Sequence, residues 1–308
     1  MRISPVFLVL ALGIIGKRLG FIPDSFVGPA NRLIYYFAIP FLVFLKVSYA
    51  PFREAFNLNC AMFVAASYLI ILALALVLSR FFSPSSKNNN PLRASFVQAS
   101  THGNLGYIGI AVIYYAFGDE GLTASGFALA VLILMQNVFS ILVLIHYGGR
   151  EHAGKHGLWV PLKSVLLNPI IISLLLGLLF SIEGWTVPDF LHRSMDMISG
   201  MALPMALLII GASLSFATFS RTAFEMGTCA FLKLLALPAL GVLLFSLGDV
   251  PSVTRSAATV LLAAPTATVS VVMSGELGGD PSWAANTVSF TTLLSVGTYY
   301  AWMWILNL

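Results

Sequence analysis

Charged residues are scarce in this 308-residue chain, and that scarcity argues against a soluble protein. Asp, Glu, Lys and Arg make up 9% of the sequence, whereas about 25% is usual in soluble domains. Hydrophobic residues account for 58%, which is more apolar surface than a soluble fold of this size could bury. We therefore expect one integral membrane domain.

Motifs for catalysis and metal binding are also missing. The sequence has no H-E-x-x-H, no G-x-S-x-G, no Walker A loop and no pair of aspartates inside apolar runs. Its two cysteines, Cys60 and Cys229, are predicted near opposite membrane faces, so we expect no disulfide. With no cluster of metal-ligand residues either, the sequence predicts no metal site, no cofactor and no enzyme.

Long apolar runs fill the chain instead, about ten of ~20–25 residues, each long enough to cross a bilayer. The first, 6–16, could be a signal peptide, but Lys17 and Arg18 follow it and no small-residue cleavage site does. We number the predicted spans 1 to 10: 6–16, 28–49, 58–82, 93–117, 122–147, 164–182, 190–216, 222–246, 253–277 and 282–306.

Basic residues are unequally divided between the two ends of the spans. One side has ten and the other has four, Arg2, Arg53, Arg193 and Arg255. The positive-inside rule places the richer side in the cytoplasm and both termini outside, in a cell inner membrane. The richer side holds Lys17, Arg18, Arg32, Arg80, Lys87, Arg93, Arg150, Lys155, Lys163 and Arg221. This bias accounts for the pI of about 9.1, so no nucleic-acid partner is expected.

The two halves of the sequence resemble each other. An offset of 164 pairs Pro5 with Pro169 and Gly13 with Gly177. The same offset pairs Gly20 with Gly184, Ala38-Ile-Pro40 with Ala202-Leu-Pro204, and Phe52 with Phe216. Five spans per half is an odd number, so the second half enters from the opposite side. The sequence predicts an all-α inverted 5+5 repeat: residues 1–147, a cytoplasmic linker 148–163, and residues 164–308.

Two apolar runs contain helix breakers at corresponding places. Span 4 contains Thr101-His-Gly-Asn-Leu-Gly106, and span 9 contains Ala263-Ala-Pro-Thr-Ala-Thr268. A break at membrane depth is tolerated only where it packs in protein or lines a wet cavity. Paired breaks in the two halves point to a transport site. We expect the helices to stop near His102 and Ala264 and to restart near Gly106 and Thr266.

Six stretches resemble the auxin efflux carrier family, which includes the plant PIN carriers and bacterial carriers of malonate, malate and other small dicarboxylates. They are N-R-L-I-Y-Y-F-A-I-P at 31–40, G-N-L-G-Y-I-G at 103–109, N-P-I-I-I-S-L-L-L-G at 168–177, A-L-P-M-A-L-L-I-I-G-A-S-L at 202–214, L-K-L-L-A-L-P at 232–238 and A-A-P-T-A-T at 263–268. The resemblance implies a bacterial-type member with the fold of bile-acid and sodium–proton carriers. Broken helices 4 and 9 would cross between a scaffold and a mobile unit, and an organic anion would bind there.

Helix N-termini at the two breaks would aim backbone N–H groups at an anion. The predicted substrate-binding residues are Asn104, Gly103, Gly106, Pro265, Thr266, Thr268, Lys233 and Asn137. Two roles are open for Lys233, attraction of the anion or bonding to carbonyl groups at helix ends. The alternative to ligand binding is a hydrogen bond within their own helices for Asn104, Thr266 and Thr268. His102 is a candidate for proton coupling, with a purely structural histidine as the alternative.

The function expected from these features is secondary transport of a small organic anion, a mono- or dicarboxylate. A cation–proton antiporter of the same fold is one alternative, but it needs buried acids, and all 12 acids lie in or near predicted loops. A membrane receptor that binds an anion without moving it is the other. The sequence leaves open proton or sodium coupling and a homodimer.

Overall fold

The computed structural model describes residues 2–49, 56–82, 90–148, 167–214 and 222–307. The predicted linker 148–163 and the pairing of Phe52 with Phe216 lie, apart from Gly148, outside the described residues. Every long element that is described is a helix, and a single two-residue antiparallel bridge is the one exception within those ranges.

The described residues of the first half form six helices, numbered here in chain order. Two of the connections are π-helical turns, Ile34–Ala38 between the second and third helices and Leu105–Gly109 before the sixth. The helices are α1 (Ser4–Arg18), α2 (Asp24–Leu33), α3 (Ile39–Ser48), α4 (Leu58–Leu78), α5 (Asn90–Thr101) and α6 (Ile110–Gly148). Gly118, at φ +66°, bends α6 where the sequence predicted the loop between spans 4 and 5.

The described residues of the second half form eight helices, with a π-helical turn at Leu232–Ala236. They are α7 (Pro169–Glu183), α8 (Asp189–Ser199), α9 (Ala202–Ser213), α10 (Ala223–Phe231), α11 (Leu237–Phe245), α12 (Ser252–Leu262), α13 (Val269–Leu277) and α14 (Pro281–Ile305). Described helices therefore coincide with all ten predicted spans.

Among the described residues, five helical stretches are long and apolar enough to cross a membrane by themselves: Asp24–Ser48, Leu58–Phe81, Leu105–Tyr147, Asp189–Ser213 and Ala223–Phe245. Spans 1 and 6 are short helices and span 9 has a break, whereas span 10 is the unbroken 25-residue helix Pro281–Ile305. Large apolar side chains cover the outer surface; Leu8, Leu12 and Ile15 of α1 are each at least half exposed. Such a surface is typical of a protein whose solvent is lipid rather than water.

The helices pack in two groups. The first helix group is α1–α3 with α7–α9, in which α1 packs on α9 and α7 on α3. The second helix group is α4–α6 with α10–α14, in which α6 packs on both α5 and α12. Contacts between the groups are mainly those of α6 with α3, α1 and α7, and of the turn Leu105–Gly109 with α9.

Glycine allows the closest approach within the first helix group. A Cβ added at Gly13 would lie 2.2 Å from the Leu208 carbonyl oxygen, and one added at Gly211 would lie 2.0 Å from the Leu10 oxygen. Gly177 approaches the Phe44 carbonyl in the same way, at 3.2 Å. The backbones of α1 and α9 are thus in direct contact, which no larger residue at these positions would permit.

Candidate functional site

The first break occupies His102–Asn104, between α5 and the turn Leu105–Gly109. The last regular amide bond of α5 runs from His102 N–H to the Gln98 carbonyl at 2.8 Å. After the break, Gly109 N–H donates to the Asn104 carbonyl at 3.0 Å, a bond of the wider π type. The helix thus stops where the sequence predicted and restarts one residue earlier, at Leu105.

The second break is longer than the first. Helix α12 ends at Leu262, and α13 begins only at Val269. The predicted restart near Thr266 is therefore wrong. Pro265 has no N–H to continue the helix, and the Thr266 N–H donates to the Thr291 hydroxyl of α14 at 3.2 Å instead of to a carbonyl of α12.

The two breaks are bonded to each other. Asn104 N–H donates to the Pro265 carbonyl at 2.7 Å, and Ala267 N–H donates to the His102 carbonyl at 3.0 Å. These bonds flank an antiparallel bridge between Gly103 and Thr266. They satisfy backbone groups that lipid could not. They also use two of the amides that the sequence analysis expected to be free for an anion.

Side chains of neighbouring helices hold the breaks in place. Gly103 N–H donates to Oε1 of Gln136 on α6 at 3.0 Å. The ring nitrogen Nδ1 of His102 is hydrogen bonded to the Ser140 hydroxyl at 2.8 Å. Thr266 donates its hydroxyl to the Ala99 carbonyl of α5 at 2.9 Å. The backbone of the crossing is therefore anchored on α5, α6 and α14.

A cavity of about 740 Å³ opens beside the first break. Its walls come from both helix groups, and the residues around the break supply one continuous part of them. The lining comprises Asn31, Arg32, Tyr35, Tyr36, His102, Gly103, Asn104, Leu105, Gly106, Tyr107, Ile133, Gln136, Asn137, Asn168, Ile170, Ser213, Ala267, Thr268, Val269, Val271, Val272, Ala285 and Val288. Six of the predicted site residues are among them: Asn104, Gly103, Gly106, Thr268, Asn137 and His102.

Asn104 has an amide nitrogen with no partner. The residue is 6% exposed, and its Nδ2 is buried without a hydrogen-bond partner in the structure. Leaving such a donor unpaired costs ~1–3 kcal/mol. Asn137 differs, because its Nδ2 donates to the Ile133 carbonyl of its own helix at 2.8 Å. Asn104 is thus the better placed of the two to bind a ligand.

Pro265, Thr266 and Lys233 do not line the cavity. Thr266 is fully buried behind the crossing. Lys233 is 1% exposed, and its Nζ donates to the Leu262 carbonyl, the last of α12, at 2.8 Å. Of the two roles left open for this lysine, the geometry is that of the second, bonding to a carbonyl at a helix end.

Several polar residues that line the cavity were not predicted as site residues from the sequence. Arg32 was counted only for orientation, and Asn31, Tyr35, Asn168 and Ser213 were not considered. A signal was present, because Asn31 and Tyr35 lie four residues apart and share one face of a helix. Among the described residues that line the cavity, Arg32 is the single Lys or Arg, and none is Asp or Glu.

The described part of the chain has no group of three or more His, Cys, Asp or Glu that could hold a metal. Both cysteines, in α4 and α10, are buried free thiols. The described lining supplies amide groups, hydroxyl groups, the His102 imidazole and one guanidinium as polar groups. These groups can bind an anion. The Ser140 hydroxyl, which is bonded to His102, is not among the residues that line the cavity.

Comparison with known proteins agrees with this chemistry. A family model described as membrane transport protein matches residues 1–155 and 158–303. A putative malonate transporter of Rhizobium meliloti is 26% identical over 99% of this chain and 95% of its own length. An uncharacterized transporter of Methanocaldococcus jannaschii is 24% identical over 98% of this chain and 96% of its own. Another uncharacterized transporter, of Methanothermobacter thermautotrophicus, is 22% identical over 98% of this chain and 96% of its own length.

The family match covers nearly the whole chain, the relatives are transporters rather than enzymes, and the apolar helices are those of a multi-pass membrane protein. The chain belongs to the membrane transport protein family of auxin efflux carriers, the family that its sequence motifs resemble.

Proposed function

We propose that this protein is a secondary carrier of a small organic anion, a mono- or dicarboxylate, which binds beside the crossing of the two breaks. The observation that carries the proposal is the cavity next to Asn104. Its lining combines an unpaired buried amide donor with one guanidinium and, among the described residues, no carboxylate. An anion would satisfy the donor, whereas a cation would find no acid to neutralise it.

The Asn104 amide supplies the directional contact in this proposal. Hydrogen bonds to a charged group are worth ~1.5–3 kcal/mol, more than those between neutral groups. Thr268, the N-cap of α13, makes no capping bond with its own side chain. Its hydroxyl group is therefore available to a ligand at the same end of the cavity.

Arg32 places a positive charge on the cavity wall. It belongs to neither of the two ion pairs among the described residues. A dicarboxylate could bind Asn104 with one carboxylate and Arg32 with the other. The relative named as a putative malonate transporter makes malonate the first compound to test.

The cavity faces the predicted cytoplasmic side. Arg32, Asn168 and Ser213 lie at the ends of spans 2, 6 and 7 that the distribution of basic residues places inside. In the opposite half, a Cβ built on Gly126 of α6 would lie 3.4 Å from the Leu174 side chain of α7 and 3.8 Å from that of Val47 of α3, so these helices pack closely there. The proposed state is therefore open to the cytoplasm and closed to the outside.

Alternating access would move the two helix groups against each other. Packing is extensive within each group and sparse between them, as a rigid-body displacement requires. The inverted repeat of residues 1–147 and 164–308 would relate the inward state to an outward one. Exchanged contacts support that symmetry: α1 of the first half packs on α9 of the second, and α7 of the second packs on α3 of the first.

The two alternative functions, an antiporter and a receptor, require different features of the protein. A cation–proton antiporter of this fold would need a buried acid at the crossing, and the described residues of the cavity lining supply none. A receptor would bind the anion without transporting it. Only a measurement of flux separates the receptor from the carrier.

The test uses purified protein in two assays. In a thermal-shift screen of carboxylates, we expect malonate or another small carboxylate to raise the melting temperature of the wild type. Asn104→Ala should abolish that rise and leave the unliganded melting temperature nearly unchanged, because its Nδ2 has no partner in the structure. In proteoliposomes, the compound that stabilises the protein should be transported.

Asn59→Ala is the matched control. Asn59 lies on an exposed part of α4, and its side-chain amide donates to the Asp249 carbonyl. Equal stabilisation of wild type and Asn104→Ala would contradict the site. Binding without flux would identify a receptor.

A further inference from the structure

Lys233 lies buried in the second helix group, with 1% of its surface exposed. The π-helical turn Leu232–Ala236 places it there: Leu237 N–H donates to the Leu232 carbonyl five residues back, which widens the helix by one residue. Pro238 has no N–H for the Leu234 carbonyl, and the Trp302 indole donates to that oxygen at 2.9 Å instead. The turn is thus stabilised from outside, so the position of Lys233 is fixed by structure around it.

No carboxylate pairs with Lys233 among the described residues. The two ion pairs in that part of the chain are Lys17 with Asp24 and Lys46 with Asp119. A buried charge without a partner is strongly unfavourable, so this ammonium needs another source of negative potential. The carbonyl end of α12 provides it, through the 2.8 Å bond from Nζ to the Leu262 oxygen.

Only one residue separates Lys233 from the cavity. Gly103 lines the cavity, and a Cβ built on it would lie 3.0 Å from Nζ and 3.1 Å from Cε of Lys233. The ammonium therefore lies directly behind the part of the cavity wall that carries Gly103 and Asn104. Because no side chain intervenes and the surroundings are buried, its positive potential reaches a ligand there with little screening.

We propose that Lys233 is a positioning residue for the anion: its protonated amino group is a positive charge that acts through the backbone of Gly103 without touching the ligand. It holds the end of α12 by its bond to Leu262, and the same charge attracts the carboxylate on the other side of the crossing. The inference rests on the proposed anion site. This arrangement of Lys233 behind the cavity wall requires glycine at position 103, because a side chain there would displace the ammonium.

The test measures malonate and acetate dissociation constants for purified wild type, Lys233→Met and Lys233→Arg, together with the unliganded melting temperature of each. Methionine keeps the length of the side chain and removes the charge, so malonate should bind at least about tenfold more weakly. Acetate, with half the charge, should lose less. Arginine keeps the charge and should bind malonate within about threefold of the wild type.

Lys17→Met is the control, because it removes the same charge from an exposed pair and should leave both dissociation constants unchanged. A lower melting temperature of Lys233→Met with an unchanged malonate constant would mean a purely structural lysine and would overturn the inference. If wild type itself binds neither compound, it is the proposed function that fails.

A second variant covers the case in which Lys233→Met does not fold. Gly103→Ala keeps the lysine but places a methyl group against its ammonium. We expect about fivefold weaker malonate binding as the charge moves away from the wall. Wild-type affinity in Gly103→Ala would overturn the inference as well.

Discussion

The two breaks at the crossing differ in length and in what they face. The first covers three residues between helical turns, His102–Asn104, and all three line the cavity. The second covers six residues, Ala263–Thr268, of which only Ala267 and Thr268 line it. Pro265 and Thr266 instead bond to α5, α14 and the first break.

This difference assigns different roles to two breaks that the sequence analysis treated alike. In the proposed carrier, the first break and Thr268 carry the ligand-facing groups, and the middle of the second break provides the backbone that holds the first in shape. Substitutions in the first break should therefore alter binding more than stability, and those in the middle of the second should do the reverse.

The largest expected effect is that of Pro265→Ala. Alanine restores an N–H that can continue α12, and a longer helix would withdraw the carbonyl that accepts from Asn104 N–H. We expect transport in proteoliposomes to fall at least about twentyfold, with a lower melting temperature, because backbone groups at membrane depth lose their partners. Pro281→Ala is the control, since Pro281 occupies the first turn of α14, where proline is dispensable. Equal transport by the two variants would show that the proline does not shape the second break.

Arg32→Gln sharpens the comparison by testing a cavity residue that belongs to neither break. Removing the guanidinium should weaken malonate binding about tenfold, the order expected for a charge-assisted hydrogen bond. Acetate binding should change much less, because one carboxylate is satisfied at Asn104. Calorimetric titration of both ligands measures the ratio of the malonate and acetate dissociation constants. Arg193→Gln, at the exposed helix α8, should leave both affinities unchanged, and a parallel loss for acetate and malonate would exclude a second subsite.

Two threonines of the second break separate stability from binding. Thr266→Val removes the hydroxyl that donates to Ala99, a loss of about 1 kcal/mol, so the melting temperature should fall by about 2–4 °C with little change in malonate affinity. Thr268→Val should have the opposite pattern, a few-fold weaker affinity at an unchanged melting temperature. Melting curves with and without malonate measure both quantities. If the two variants behaved alike, the division of this break into a buried part and a lining part would be wrong.

His102→Asn has the smallest expected effect. The asparagine amide can replace the ring nitrogen that is bonded to Ser140, so the first break should keep its shape. We expect transport within about threefold of the wild type at pH 6 and at pH 8, because a structural histidine contributes a hydrogen bond of about 1 kcal/mol. Loss of a pH dependence that the wild type possesses would instead support the role of His102 in proton coupling.

The positions of the breaks were predictable because glycine and proline act on the backbone locally. The residue at which α13 begins was not, since Thr266 and Ala267 carry no comparable signal and the restart depends on Thr291 of another helix. Asn104 was a candidate because a polar residue inside an apolar run is conspicuous, and it lines the cavity.

Lys233 and Arg32 show why the remaining part of the site was not predictable. The depth of Lys233 in its span follows from counting residues, but the direction of its side chain depends on the π-helical turn around it. Arg32 fitted the positive-inside rule, so its place in the sequence provided no reason to assign it a second role in ligand binding. In both cases the direction of the side chain depends on how the helix is rotated about its own axis. Only tertiary packing determines that rotation.

The ion pair of Lys46 with Asp119 joins the two helix groups, α3 to the bend in α6, at a distance of 2.9 Å. Both residues lie near span ends that the charge bias places outside. Their side chains are 29% and 60% exposed, and bridges in that setting contribute only ~0–1 kcal/mol. In the proposed cycle this contact would act as an extracellular latch that thermal motion can release. Raising the salt concentration should therefore favour the outward-facing state without any change at the crossing.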